Sequence, residues 1–365
     1  MRIAYVLTSL GVGGAERQVL ALAERMKARG HAVLLVVLLP RQAEEWPTAL
    51  DLVRLEMRKR PLSLLAGAWK ARRFLRDFQP DLIHSHTFPA NMMARLLRPC
   101  GLTPVISTIH NVYEGGWPRM LAYRLTDGLS RRTSAVSRAA ADRFVRLKAV
   151  PARKLSVLMN GIDTAEFAPS PERRARMRKG MSAGDEFIWL SAGRITPAKD
   201  YPNLLRAFAR ARAAIPAAQL WIAGEAVHNE SAILQALAVE LGLQDCVRWL
   251  GLRRDMPALL DAADGFVLAS AWEGMPLVVG EAMAMEKPVV ATDVGGVREL
   301  LGTAGVIVSA KSLVTLADAM VELMRKTPEA RHALGPSARQ RIATRFSIDA
   351  KAIEWEALYR AVCRR

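Results

Sequence analysis

Two glutamates eight residues apart define the most informative chemistry in this chain. They stand in Glu273-Gly274-Met275-Pro276-Leu277-Val278-Val279-Gly280-Glu281, directly after the apolar strand-like run 266–269. Gly274 leaves backbone amides accessible, and Pro276 suits the first turn of a helix. Glu281 then falls within that helix, so both carboxylates can address one ligand. Carboxylates accept hydrogen bonds, and the hydroxyls of a sugar or a ribose donate them. Two solvated glutamates would show the same spacing, so the pair alone leaves both readings open. A second cluster, Gly193-Arg194 with Lys199, follows the strand-like run 187–192. Two cations at a strand end suit a diphosphate; two surface bases ahead of a helix are the plain alternative.

Three further segments carry chemistry. Gly11-Val12-Gly13-Gly14-Ala15-Glu16-Arg17 follows the first strand-like run and opens a helix, where amides and the helix dipole favour an anion. A dinucleotide fingerprint would need glycine where Glu16 stands, and no Gly-x-x-x-x-Gly-Lys loop occurs, so NAD and P-loop sites are disfavoured. His110 ends an apolar run and precedes Asn111, a place from which a histidine can hydrogen-bond or titrate. His84 and His86 are two apart on a strand and share a face, but no third metal ligand accompanies them. No Asp-x-Asp motif is present to hold a divalent ion on a diphosphate.

The elements that must position these residues alternate. In the first half, strand-like runs at 3–8, 31–39, 52–57, 81–86, 105–110, 133–137 and 155–159 are separated by helical or loop segments. The pattern pauses at Asn160-Gly161-Ile162-Asp163, with Pro169 and Pro171 following, and restarts with runs at 187–192, 219–223, 247–250, 265–269, 288–292 and 306–308. This spacing predicts two α/β domains with doubly wound parallel sheets, whose strand ends face a shared cleft. The expected borders are 1–165 and 166–346. A tail helix over 347–362 is expected to present Ile348, Ile353, Trp355, Leu358 and Tyr359 as its apolar positions.

Composition limits the partners. The 365 residues carry 52 Lys+Arg against 35 Asp+Glu, a net +17, and 51% are hydrophobic, which excludes a mainly disordered chain. Residues 1–165 hold 26 basic and 12 acidic side chains, net +14, and residues 166–365 hold 26 and 23. The excess therefore belongs to one half. Between Arg58 and Arg76 the bases are interleaved with Leu62, Leu64, Leu65, Trp69 and Phe74, the pattern of a helix lying on an anionic membrane. A helix with its apolar side in the core would read the same way. No apolar run reaches the ~18 residues of a membrane span. Cys100, Cys246 and Cys363 lie far apart, and the first residues resemble a strand rather than a signal peptide, so a cytoplasmic location is expected. Charge alone would also allow a nucleic-acid binder, but no motif for one is present.

Taken in order, Gly13-Gly14-Ala15-Glu16, Ile83-His84-Ser85-His86, Thr108-Ile109-His110, Asn160-Gly161-Ile162-Asp163, Ser191-Ala192-Gly193-Arg194 with Lys199, the Glu273–Glu281 block and Asp293-Val294-Gly295-Gly296 resemble the retaining GT-B glycosyltransferases of family four, the group 1 glycosyl transferases. The resemblance runs nearly end to end. It implies two Rossmann-like domains, with the donor nucleotide mostly on the second and the tail helix returning to the first. By that likeness Arg194 and Lys199 would hold the diphosphate, Glu281 the ribose, and Glu273 the transferred sugar. Amides of Gly274, Met275, Leu277 and Val278 would line sugar and phosphate. Gly13 and Gly14 would approach the phosphate, and His110 would sit by the reacting carbon.

The implied reaction moves a hexose-type sugar from UDP- or GDP-sugar to a lipid-linked or cell-surface glycan acceptor, without metal or other cofactor. It would take place at the inner face of the cytoplasmic membrane. A sugar-nucleotide epimerase or a phosphorylase on the same fold is the alternative. Three positions depart from the family: Asp200 and Glu286 stand where glycine is usual, and Ala226 replaces a common second glycine.

Overall fold

Short runs of Val, Ile, Leu and Ala form central strands buried on both faces, as parallel sheets require. The computed structural model describes residues 1–101, 103–226 and 230–364; the side chain of Cys100 lies outside the described residues. Two compact units emerge: Met1–Gly161 with Ile348–Arg365, and Ile162–Ser347.

The first unit runs β1 (Arg2–Leu7), α1 (Gly14–Ala28), β2 (Ala32–Val37), β3 (Asp51–Arg54), α2 (Pro61–Phe78), β4 (Leu82–His86), α3 (Phe88–Leu97), β5 (Val105–Ile109), α4 (Trp117–Leu125), β6 (Arg132–Ala135), α5 (Arg138–Arg146) and β7 (Leu155–Val157). Its seven-stranded sheet is ordered β3-β2-β1-β4-β5-β6-β7, and every pairing is parallel.

The second unit holds α6 (Pro171–Gly180), β8 (Ile188–Ala192), α7 (Tyr201–Ala214), β9 (Gln219–Ala223), α8 (Glu230–Glu240), β10 (Val247–Gly251), α9 (Met256–Ala262), β11 (Gly265–Leu268), α10 (Leu277–Ala284), β12 (Val289–Thr292), α11 (Val297–Leu301), β13 (Val306–Val308), α12 (Leu313–Arg325), α13 (Pro328–His332) and α14 (Gly335–Arg345). Its six-stranded sheet is β10-β9-β8-β11-β12-β13, also all parallel. Strand order reverses between β1 and β4 in one sheet and between β8 and β11 in the other. Ligands of open α/β sheets bind at the strand carboxyl ends beside such points.

The last helix, α15 (Ile348–Cys363), belongs to the first unit. Ile348, Ala352, Trp355, Tyr359 and Val362 share a core with Ile3, Tyr5 and Leu7 of β1 and with α1. This corrects the expected apolar stripe: Ile353 is exposed, one residue off the 3.6-residue period that Ala352 follows. Glu356 is buried instead, because Arg29 and Arg360 both hydrogen-bond its carboxylate. On these borders the first unit carries 30 Lys and Arg against 14 Asp and Glu, and the second 22 against 21.

On the other face of the first sheet lie α2 and α3, over Ala4, Val6 and Ile83. The structure resolves the ambiguity of α2. Its buried residues are Gly67, Ala71 and Leu75, whereas Leu62 and Leu65 are 81% and 69% exposed. A Cβ on Gly67 would run into Met57, so the helix seats close at Gly67 and Ala71 and buries Leu75, while Leu62, Leu65 and Trp69 stay in solvent.

Candidate functional site

The reversal point of the second sheet brings together two of the segments read from the sequence. After β8, Gly193 takes a φ of +145°, and a Cβ there would stand 2.6 Å from Cε of Lys199. Only glycine lets the lysine stem lie along that backbone. The Tyr201 hydroxyl donates to the Gly193 carbonyl at 3.1 Å, fixing the turn. A 3-10 turn over Pro197–Lys199 then sends Lys199 Nζ to Oε1 of Glu273, 2.6 Å away. Ser270 Oγ donates to the same oxygen at 2.8 Å. Both charged side chains are mostly shielded, 17% and 12% exposed. Arg194 is not drawn into this pair; it is exposed and bonds to none of the described residues.

Helix α10 starts at Leu277, with Pro276 extended at its N-cap and no side chain capping it. Pro276 thus stands one residue before the first turn in which the sequence placed it: its ψ of 110° is extended rather than helical. The uncapped amides at this end point out of the helix, and the dipole favours an anion there. Gly274, Met275 and Leu277 are buried, Val278 is half-buried, and Glu281 lies one turn further on, 4% exposed.

Several supporting contacts join segments that the sequence does not show to be neighbours. The Ala271 amide donates to the Ala198 carbonyl at 2.8 Å, tying the Lys199 turn to the Glu273 loop. A Cβ on Gly295 (φ +55°) would collide with the Glu273 carbonyl, and the Gly296 amide donates to the Gly274 carbonyl at 2.7 Å. The Gly295-Gly296 pair is therefore a backbone buttress for the Glu273 loop. Asp200 and Glu286, which stand where the family favours glycine, both have positive φ, 49° and 59°. The family's glycines match a left-handed backbone that this chain retains without them.

In the first unit, Thr8 and Thr87 close the reversal point between β1 and β4 with hydroxyls 2.7 Å apart. Gly13 caps α1 in an extended conformation, and Gly14 is its exposed first residue. The loop residue Gly11 pairs with Glu45, and the Trp46 amide donates to the Leu10 carbonyl, so the 41–46 segment lies alongside the glycine-rich turn.

His110 is held on both sides. Its amide donates to Glu114 Oε1 at 2.9 Å, and its ring Nε2 lies 2.9 Å from Nδ1 of His86. Glu114 in turn accepts from the Tyr123 hydroxyl at 2.7 Å, and burial raises its carboxyl pKa. Burial pushes His110 down to about 4, and His84 and His86 well below the ordinary histidine range. All three rings are therefore neutral at pH 7. His84 bonds hydroxyls through both nitrogens: Tyr359 of the tail helix at 2.6 Å and Thr108 at 2.7 Å. No lone pair on His84 remains to share an ion with His86. Among the described residues, no three His, Cys, Asp or Glu side chains are grouped to hold a metal ion.

Comparison with known proteins decides the family. Residues 12–166 match the profile of Glycosyltransferase Family 4, and residues 186–326 match that of Glycosyl transferases group 1. EpsD of Bacillus subtilis (strain 168) is 30% identical over 305 residues, 80% of this chain and 78% of that protein. The chain belongs to the family-four, group 1 glycosyltransferases. A GDP-mannose-dependent alpha-(1-6)-phosphatidylinositol monomannoside mannosyltransferase of Mycobacterium tuberculosis (strain CDC 1551 / Oshkosh) is 29% identical over 280 residues, covering 72% of this glycosyltransferase and 71% of the relative. The crystal structure of Anabaena Alr3699/HepE in complex with UDP and glucose superposes with a TM-score of 0.88 at 22% identity, over 99% of this chain and all of that one. The fold of this glycosyltransferase is thus GT-B, with a parallel-sheet α/β architecture in each unit.

Proposed function

We propose that this glycosyltransferase moves a hexose-type sugar from a UDP- or GDP-sugar to a lipid-linked or cell-surface glycan acceptor, with retention at the anomeric carbon and without a metal ion. The observation that carries this reading is the Lys199–Glu273 pair beside the open end of α10, at the sheet's reversal point. A cation and the amides of a helix N-terminus meet a diphosphate there, and a carboxylate next to them meets sugar hydroxyls. Glu281 accepts from the ribose. Arg194, exposed and bonded to none of the described residues, adds the second cation. The names of relatives that use GDP-mannose or were crystallised with UDP lend support to the donor class.

In this reaction the acceptor hydroxyl attacks the anomeric carbon from the face that the diphosphate leaves. The bond from that carbon to the β-phosphate oxygen breaks, and the acceptor proton passes to a phosphate oxygen. Lys199, Arg194 and the α10 amides stabilise the charge that develops on the leaving group. His110 donates to the transferred sugar, and Gly13 and Gly14 offer amides to the phosphate. Incubation with UDP- and GDP-hexoses and a polyprenyl-diphosphate glycan tests this. Release of free nucleoside diphosphate with an axial product linkage from an axial donor, undiminished by EDTA, is expected. Donor consumption without nucleotide release would favour the epimerase instead.

We further assign the first unit to an anionic membrane surface, at the inner face of the cytoplasmic membrane. Among the described residues no helix is long and apolar enough to cross a membrane. Instead α2 and α4 each carry an exposed apolar stripe: Leu62, Leu65 and Trp69 on one, and Trp117, Leu121 and Leu125 at successive i, i+4 positions on the other. Lys70, Arg72, Arg73, Arg76, Arg119 and Arg124 accompany them, with Asp77 the one acid in either helix. Such helices bind by apolar insertion plus attraction to anionic lipid. Flotation with phosphatidylglycerol vesicles at low salt should carry the protein up. Replacing Trp117, Leu121 and Leu125 by serine should leave it in the pellet. Equal flotation with neutral vesicles, or none at low salt, would overturn the assignment.

A further inference from the structure

The His86–His110 contact fixes more than position. His86 is 3% exposed, and among the described residues its Nε2 has no hydrogen-bond partner. Its Nδ1 faces His110 Nε2 at 2.9 Å. Between two neutral imidazoles one nitrogen donates and the other accepts, so only two arrangements exist. If His110 donates, His86 must carry its own proton on Nε2, stranding a buried N–H without an acceptor. If His86 donates from Nδ1, its Nε2 is a bare lone pair, and no donor is stranded. Orphaned buried N–H groups are the rarer defect. We infer that His86 donates to His110 Nε2 and so holds His110 as the Nδ1–H tautomer, making His86 a positioning residue for the transfer reaction.

The surroundings keep His86 in that role. The His84 ring lies 3.9 Å away, centroid to centroid, and Tyr5 stacks at 6.0 Å. His84 is itself pinned by Tyr359 and Thr108, so the His86 ring has a rigid backing. The consequence for His110 is directional. With Nε2 occupied by His86, its remaining nitrogen carries a proton and acts as a donor. His110 then hydrogen-bonds an oxygen of its ligand and does not act as a base. This consequence rests on the proposed contact of His110 with the transferred sugar; the tautomer itself does not.

Long-range proton–nitrogen NMR on the full-length protein, with nitrogen-15 histidine, reads the tautomer directly, and loss of one ring's signals in His110→Ala assigns it. The wild type should show His110 protonated on Nδ1. His86→Asn, whose amide nitrogen stands where Nδ1 was, should keep that signature and stay within about threefold of the wild-type kcat. His86→Phe should give a mixture of tautomers and lower kcat about tenfold with KM little changed. A His110 protonated on Nε2 in the wild type, or a pure Nδ1–H signature in His86→Phe, overturns the inference. If the signature is as inferred but His110→Ala retains full activity, the sugar contact fails while the tautomer assignment stands.

Discussion

Replacing Glu273 by glutamine separates the two jobs given to the donor site. Lys199 Nζ sits 2.6 Å from the Glu273 carboxylate, with both side chains mostly shielded. Gross attraction at that distance is ~6 kcal/mol for an effective dielectric of 20, but desolvation removes most of it. A net ~1–2 kcal/mol for a pair of this exposure is reasonable. A diphosphate arriving at Lys199 must draw the lysine partly away from that partner. The amide of Glu273→Gln keeps the shape and the bond from Ser270 but removes the competing charge. UDP or GDP alone should therefore bind about tenfold tighter to the variant, since ~1.4 kcal/mol is one decade.

The intact nucleotide-sugar should show the opposite in turnover. Loss of a charged hydrogen bond to a sugar hydroxyl costs ~1.5–3 kcal/mol, so kcat/KM should fall at least about tenfold. Titration calorimetry with the diphosphate, alongside steady-state kinetics, reads both. The variant alone should also melt a few degrees lower, because Lys199 loses the charge of its partner. A folded Glu273→Gln that binds the diphosphate no better than the wild type would refute the assignment of Lys199 to phosphate.

Two other outcomes follow, one from the histidine cluster and one from a backbone φ. His84, His86 and His110 are neutral when folded and titrate near 6.5 when unfolded, so the unfolded state binds more protons as pH falls. Stability should be full above pH 6.5 and decline below it; His110 alone, held down to about 4, contributes ~2 kcal/mol of loss between pH 6.5 and 5. Equal urea midpoints at pH 7 and 5 would show that these rings are not buried neutral. Glu286→Gly relieves a left-handed backbone at φ 59° and should raise stability by ~0.5–1 kcal/mol, read as a higher melting temperature.

The parts of the fold that were legible in the sequence are those whose signals are local. The runs around Tyr5, Val267 and Val290 read as buried parallel strands because each is continuously apolar. The Glu273–Glu281 block read as strand end, loop and helix because Gly274 and Pro276 punctuate it. What stayed hidden depends on contacts between distant segments. Lys199 and Glu273 were each matched to a ligand, and nothing in either segment says that they pair with one another. The buried side of α2 is built on Gly67, close against Met57, and Ala71, with Leu75 its one large residue, and hydrophobic periodicity weighs the two small ones too lightly to find. In α15, Glu356 is inside because Arg29 comes to it from 327 residues away. The His86–His110 bond likewise joins the ends of two neighbouring strands, β4 and β5, and no spacing rule reports which ring meets which.

The donor site of the second unit is the central claim, and melting temperature in the presence of donors tests it most directly. UDP-, GDP- and ADP-hexoses should be screened against the wild type and Glu281→Ala. A donor at about a hundred times its Kd stabilises the folded form by ~2.7 kcal/mol, a shift of several degrees. At least one UDP- or GDP-sugar should give that shift in the wild type, and Glu281→Ala, still melting cooperatively on its own, should lose most of it. An unchanged shift in Glu281→Ala would place the nucleotide elsewhere and contradict the account.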